Sequence, residues 1–161
     1  MAPSSTRPEL DETYTEITDW FFETYLPRWV TAVETSHDAS FIGDYWAAPL
    51  WVGDDSGPVT LAPTAEDVTA WFKVTFDRLR TAGYTHTAVL DRRVVVFNKD
   101  GGAIDVIWSR RRADDAEIER LAVHFVIARG GDGLRIVTIE ATLTDSDTLD
   151  EVWPIHRGGD L

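Results

Sequence analysis

Four residues in the second half of the sequence carry groups suited to proton transfer: Asp91, Arg110, His124 and Glu140. Each matters only if the fold encloses it. Asp91 facing Arg110 would be held ionised by the guanidinium, which could also orient an anionic substrate. The plainer reading is a cross-strand ion pair near a sheet end, worth little in water. His124 facing Asp105 would gain a fixed tautomer and a more basic ring, the makings of a general base near neutral pH. The plainer reading is a hydrogen-bonded pair inside a dimer interface. Glu140, near Ile136 and Thr138, would have its pKa raised by burial and could serve as acid or base. At a solvated strand end it would do neither. Trp108, Phe125, Tyr45 and Trp46 are candidate pocket walls, though any one of them could equally be core packing. Tyr14 and Tyr25 could donate from the first helix to an oxyanion, or could be core tyrosines with satisfied hydroxyls.

Several chemistries are missing from the sequence. There is no cysteine, hence no thiol nucleophile, disulfide or cysteine-held metal. There is no Gly-rich phosphate loop, no Gly-x-Ser-x-Gly elbow and no His-Glu-x-x-His. His37-Asp38 is too local for a metal site and the other histidines are far apart in sequence, so no metal or cofactor is expected unless the fold assembles a site in space.

The elements that must position these residues are four strands, roughly 86–98, 102–112, 117–129 and 133–144. Turns at Asp100-Gly101, 113–116 and 130–133 join them into an antiparallel meander. Centring the first hairpin on Asp100-Gly101 pairs Asp91 with Arg110 and Arg93 with Trp108. Centring the second on Asp114-Asp115 pairs Asp105 with His124 and Trp108 with Leu121. Centring the third on Asp132-Gly133 pairs Phe125 with Glu140. One face then carries Asp91, Trp108, Arg110, Phe125 and Glu140; the other carries Asp105, Ile107 and His124. A slip of one residue would exchange the faces. Both faces are rich in apolar residues, so both should be covered. Helices can cover one, and a second copy of the chain the other.

Ahead of the strands, Thr6-Arg7-Pro8-Glu9 fits a helix start. Leu10, Tyr14, Ile17, Phe21 and Tyr25 then mark one helical face. Pro27 should kink this helix, because its ring clashes with the Glu23 carbonyl. Ser36-His37-Asp38 offers caps for a short second helix through about Tyr45-Trp46, ended by Pro49. Short strands at 50–52 and 59–61 flank the turn Asp54-Asp55-Ser56-Gly57. The third helix opens on a capping box, Thr64 with Asp67, and should stop at Gly83. Residues 1–5 read as a disordered lead. The acidic segment 145–161 reads as a loose tail that docks through Trp153.

The 161 residues fit one domain, 1–161, with its core over 8–144. A net charge of −13 argues against a nucleic-acid partner, which needs a basic patch, and against an anionic membrane surface. No signal-peptide pattern or 18-residue apolar run is present, so a cytoplasmic location is expected.

The order helix, helix, short hairpin, helix, four-strand meander resembles the nuclear transport factor 2-like superfamily, nearest its SnoaL-like, actinobacterial branch. The residues that carry the resemblance are Trp20-Phe21-Phe22 with Tyr25 and Trp29, Tyr45-Trp46-Ala47-Ala48-Pro49-Leu50, Gly83-Tyr84, Ile107-Trp108-Ser109-Arg110-Arg111-Arg112 and Asp132-Gly133-Leu134-Arg135-Ile136. It spans roughly residues 10–144. It implies an α+β cone, a curved antiparallel sheet wrapped around three N-terminal helices. It also implies an apolar pocket and a homodimer through the outer sheet face. Some members are isomerases, cyclases or dehydratases using acid–base chemistry; others only bind. In the ketosteroid isomerase branch an acid near position 125 helps hold an oxyanion; Phe125 stands here. The base there follows the second helix, near Asp54 and Asp55, in a turn that reads as exposed.

The expected function is therefore a pocket for a small, partly apolar metabolite with cofactor-free proton-transfer chemistry. Asp91, Arg110, Glu140 and His124 would be catalytic, and Trp108, Phe125, Tyr45, Trp46 and Tyr25 would bind the ligand. A non-catalytic binding module or a dimeric interaction protein is the alternative.

Overall fold

The structure is a computed structural model and describes residues 7–35 and 39–159. The expected lead over 1–5, the capping role of Thr6 and the caps at Ser36-His37-Asp38 lie outside the described residues.

The N-terminal helix runs in three continuous parts. These are α1 (Pro8–Asp19), a π-helical turn (Trp20–Tyr25) and α2 (Leu26–Thr35). Pro27 explains the middle part: it has no N–H to give and its ring crowds the preceding turn. The chain answers by widening that turn, with the Leu26 N–H bonding the Phe21 carbonyl. Helix α3 (Ala39–Tyr45) passes directly into strand β1 (Trp46–Gly53). Pro49 therefore sits inside a strand, beyond the helix end it was expected to set. After β2 (Thr60–Ala62), α4 (Ala65–Thr81) starts on the complete Thr64–Asp67 capping box and is followed by Gly83 at φ +84°. Only glycine adopts that left-handed conformation without strain.

Strands β3 (Tyr84–Asn98), β4 (Gly101–Arg112), β5 (Glu117–Gly130) and β6 (Gly133–Leu143) form the expected meander. The six-stranded sheet has the order β2-β1-β6-β5-β4-β3. The one parallel pairing among the described residues, β1 with β6, joins the N-terminal hairpin to the meander. The sheet is curved and does not close. The result is the α+β architecture expected from the sequence.

The register departs from the turn-centred one in two hairpins. The first loop is Lys99-Asp100, and irregularities in β3 add further shifts. Asp91 consequently faces Ile107, and Thr87 faces Arg110. The second hairpin keeps its expected register, Asp105 opposite His124. In the third, the loop is Gly131-Asp132 and a shift follows at Val126/Ile127. Phe125 therefore faces Ile139, and Glu140 faces His124. The period-two alternation turns each one-residue error into a change of face.

The inner face packs on the helices through Phe21, Tyr25, Trp29, Phe72, Trp108 and Phe125. Fully burying side chains of this size contributes roughly 1.5–3 kcal/mol each. On the outer face, Ile107 and Ala122 are buried under a short helix, α5 (Leu149–Val152), together with Leu90 and Trp153. The tail is thus a docked strap over part of the surface expected to meet a second copy.

Candidate functional site

Between the inner sheet face and helices α2 and α4 lies a cavity of about 370 Å³. Tyr25 and Trp29 enter from the N-terminal helix, Trp46 from β1, and Trp71 and Phe72 from α4. Trp108, Leu121, Val123, Phe125, Ile139 and Ala141 come from the sheet. The buried aromatic groups form the deep end. Gly53, Asp54, Asp55, Ser56 and Leu143 form the mouth. Asp55 anchors that mouth by accepting bonds from the Leu143 N–H (2.8 Å) and the Thr142 hydroxyl (2.9 Å). The Leu143 N–H bond, then the Thr142 hydroxyl, holds the Asp55 carboxyl below its usual range.

Three charged side chains, Arg78, Arg110 and Glu119, line this cavity besides the carboxylates of its mouth. Arg110 is only 7% exposed. Its guanidinium lies 5.2 Å from the centre of the Trp29 ring and 5.8 Å from that of Trp108, within cation–π range. Its Nη1 donates to Glu119 Oε1 at 2.7 Å. Arg78, nearer solvent, grips the same carboxylate with both arms, at 2.9 and 3.1 Å. Burial pushes the Glu119 carboxyl up, but the two arginines outweigh it and keep it below the usual carboxylate range. Burial pushes Arg110 down and Glu119 opposes that; an arginine remains charged regardless. Burial drives the Tyr25 hydroxyl far above its ordinary pKa, so it stays protonated.

Three donors in this wall have no hydrogen-bond partner among the described residues: Arg110 Nε, Trp46 Nε1 and Trp108 Nε1. Tyr25 is near enough to Trp46 for the indole N–H to influence its hydroxyl, without a well-formed bond satisfying that N–H. Orphaned buried donors are uncommon in native proteins.

The sequence-chosen residues divide among three places. Arg110, Trp108, Phe125, Trp46 and Tyr25 line the cavity. Tyr45 is buried beside Tyr25, Trp20 and Phe41, behind the wall. Asp91, His124 and Glu140 lie on the outer face. Asp91 faces away from Arg110 and accepts the Leu149 N–H at 2.8 Å, fastening α5. His124 Nδ1 is 2.5 Å from Asp105 Oδ1. Arg93 holds the other oxygen of Asp105 at 2.8 and 2.9 Å. Burial raises the Asp105 carboxyl, and the His124 and Arg93 bonds more than reverse this. Sequence reasoning missed Glu119, Arg78, Trp29, Trp71 and Phe72. The second hairpin's register already put Glu119 opposite Arg110, so that partner could have been found. Asp54 and Asp55, read as an exposed turn, are exposed and also rim the cavity.

A family model described as NTF2-like protein (DUF6841) matches residues 12–144. The chain belongs to this NTF2-like family. The superfamily expected from the sequence is the one found; the SnoaL-like branch is a finer placement that the match does not carry. No curated protein matches. Among solved structures, an NTF2-like protein with a cystatin-like fold from Novosphingobium aromaticivorans is similar at TM-score 0.61 and 19% identity, covering 87% of each chain. A domain of unknown function with a cystatin-like fold from Nostoc punctiforme gives TM-score 0.59 and 14% identity, over 93% of this chain and 84% of that one. The protein Aln2 from a Streptomyces species gives TM-score 0.58 and 15% identity, over 89% of this chain and 94% of that one. These likenesses speak to the fold. Among the described residues no helix is long and apolar enough to cross a membrane.

Proposed function

We propose that this NTF2-like chain binds a small, partly apolar molecule in the cavity behind Trp46, Trp108 and Phe125. The observation that carries the reading is the cavity itself: about 370 Å³, walled by aromatic and aliphatic side chains, with a few polar groups at set points. The enclosed ionisable groups suit binding better than proton abstraction. Tyr25 holds its proton, and Glu119 holds its charge between two arginines. The test is a titration with a neutral apolar fluorophore, N-phenyl-1-naphthylamine. Its emission should rise on binding and stay low with Ala141→Trp, which fills the cavity. Equal binding by a folded Ala141→Trp variant, or no binding by the parent, would overturn the reading.

Acid–base catalysis is the second reading. It is favoured by Asp54 at the cavity mouth, where the resemblance to ketosteroid isomerases expects a base. Here Asp54 would take the proton, and Tyr25 and Arg110 would stabilise the oxyanion. Turnover abolished in Asp54→Asn with ligand binding retained is its signature. A homodimer through the outer sheet face accompanies either reading. Trp51, 50% exposed, and Val95, 46% exposed, remain uncovered there beside the α5 strap. Sedimentation equilibrium of the parent and a Trp51→Glu variant tests it: loss of the dimer in the variant is expected, and a monomeric parent refutes it.

A further inference from the structure

Arg110 has a combination of features that contacts within the protein do not explain. A guanidinium offers five N–H donors. Among the described residues, Arg110 makes one hydrogen bond, from Nη1 to Glu119. Its Nε is buried and unpartnered. The Trp29 and Trp108 rings lie against it, 5.2 and 5.8 Å from the guanidinium carbon, and offer no hydrogen-bond acceptor to its N–H groups. Burying a cation this deeply is costly, and the cost grows with every donor left unpaired. Nearby, Trp46 Nε1 and Trp108 Nε1 are donors without acceptors, and Tyr25 adds a hydroxyl that keeps its proton. The deep end of the cavity is thus rich in donors and short of acceptors.

The charge balance points the same way. Among the described residues, Arg78 and Arg110 share the single carboxylate Glu119. The cluster therefore carries one unbalanced positive charge inside a chain whose net charge is −13. At the mouth the sign reverses: Asp54 and Asp55 would repel a second anionic group at the outer end of the ligand. The remaining walls are apolar.

Building on the pocket reading above, we infer that the ligand is an apolar monocarboxylate, its carboxylate seated on the free edge of Arg110 and its hydrocarbon body lying between Trp46, Phe72 and Phe125. The carboxylate supplies the acceptor that Arg110 lacks. Its charge completes an alternating row with Arg110, Glu119 and Arg78. Two parallel N–H···O bonds from one guanidinium edge to one carboxylate are the geometry for which arginine is better suited than lysine.

The experiment uses three probes with one carbon skeleton: 3-phenylpropanoate, 3-phenylpropanamide and 3-phenylpropylamine. Each competes with N-phenyl-1-naphthylamine on the full chain at neutral pH. The carboxylate should bind at least about tenfold more tightly than the amide, and the amine more weakly still. Arg110→Gln should bring carboxylate and amide to within about twofold. Glu119→Gln, which removes the internal competitor for Arg110, should widen the preference. The carboxylate, and not the amide, should raise the unfolding temperature of Glu119→Gln more than that of the parent. Parent protein that binds the fluorophore and all three probes alike would overturn the carboxylate inference while leaving the pocket reading standing. Failure to bind the fluorophore at all would remove the pocket reading itself. A preference that survives in folded Arg110→Gln would also refute the inference.

Discussion

Removing either partner of the buried ion pair should have unequal consequences, because Glu119 has two arginines and Arg110 has one carboxylate. In Arg110→Met, Glu119 loses one charge-assisted hydrogen bond but keeps both from Arg78. A bond of this kind contributes about 1.5–3 kcal/mol, and removing a buried cation offsets part of the loss. The expected destabilisation is therefore no more than about 2 kcal/mol. In Glu119→Gln, Arg110 keeps its charge at 7% exposure with no carboxylate against it. Leaving a buried charge unpaired typically costs about 3–5 kcal/mol. That is a large share of a domain's usual total of about 5–15 kcal/mol. The double variant Arg110→Met/Glu119→Gln should cost less than the sum of the two, with a coupling on the order of 1–3 kcal/mol. Urea unfolding of the parent and three variants at neutral pH, followed by tryptophan fluorescence, measures all of these. If Arg110→Met proves as destabilising as Glu119→Gln, the pair is not organised as described.

Three further outcomes are expected. Burial raises the Glu119 and Asp105 carboxyls, but their arginine and histidine contacts reverse this and leave both below their usual range. Their contribution is present above the unfolded carboxylate pKa and is lost as pH falls through the folded one. The urea midpoint should therefore drop as pH is lowered below about 4; a midpoint unchanged between mildly and strongly acidic buffer would contradict it. Leu149→Ala should cost up to about 2–5 kcal/mol by unseating α5 from Ile107 and Ala122. It should also promote self-association, visible by size-exclusion chromatography, and an unchanged midpoint would show that the strap contributes nothing. Thr64→Ala removes the hydroxyl that accepts the Asp67 N–H and should cost about 0.5–2 kcal/mol by the same unfolding assay.

Most helix and strand identities were legible because they follow from local periodicity and from caps such as Thr64–Asp67; the first half of β1 and helix α5 were not. The second hairpin was legible in full because its turn, Asp114-Asp115, sits at the loop centre and its strands run without irregularity as far as Arg110. The first and third hairpins were not. Their loops are displaced by one residue and their strands carry shifts set by packing, and no local pattern announces either. Displacing a loop by one residue keeps the face; the shifts at Val96/Asn98 and Val126/Ile127 moved Asp91 and Glu140 to the outer face, away from Arg110 and Phe125. Pro27 signalled a disturbance; that it would take the form of a π-helical turn depends on keeping Phe21, Tyr25 and Trp29 on one side. The parallel pairing of β1 with β6 was beyond local reading because it joins segments from opposite ends of the chain. The cavity mouth depends on that pairing, so Asp54 and Asp55 looked like a plain exposed turn.

That long-range pairing also has a consequence in time. The bonds that shape the mouth, from Thr142 and Leu143 to Asp55, span 87 and 88 residues of chain. Closing a loop of that length must wait for the meander and the helices on which β1 packs, so the rim should be the last part of the molecule to assemble. Exposed and held by few contacts, it should also be the first to open in the folded state. The Leu143 amide would then exchange its hydrogen well before those of Ile104 or Ile107.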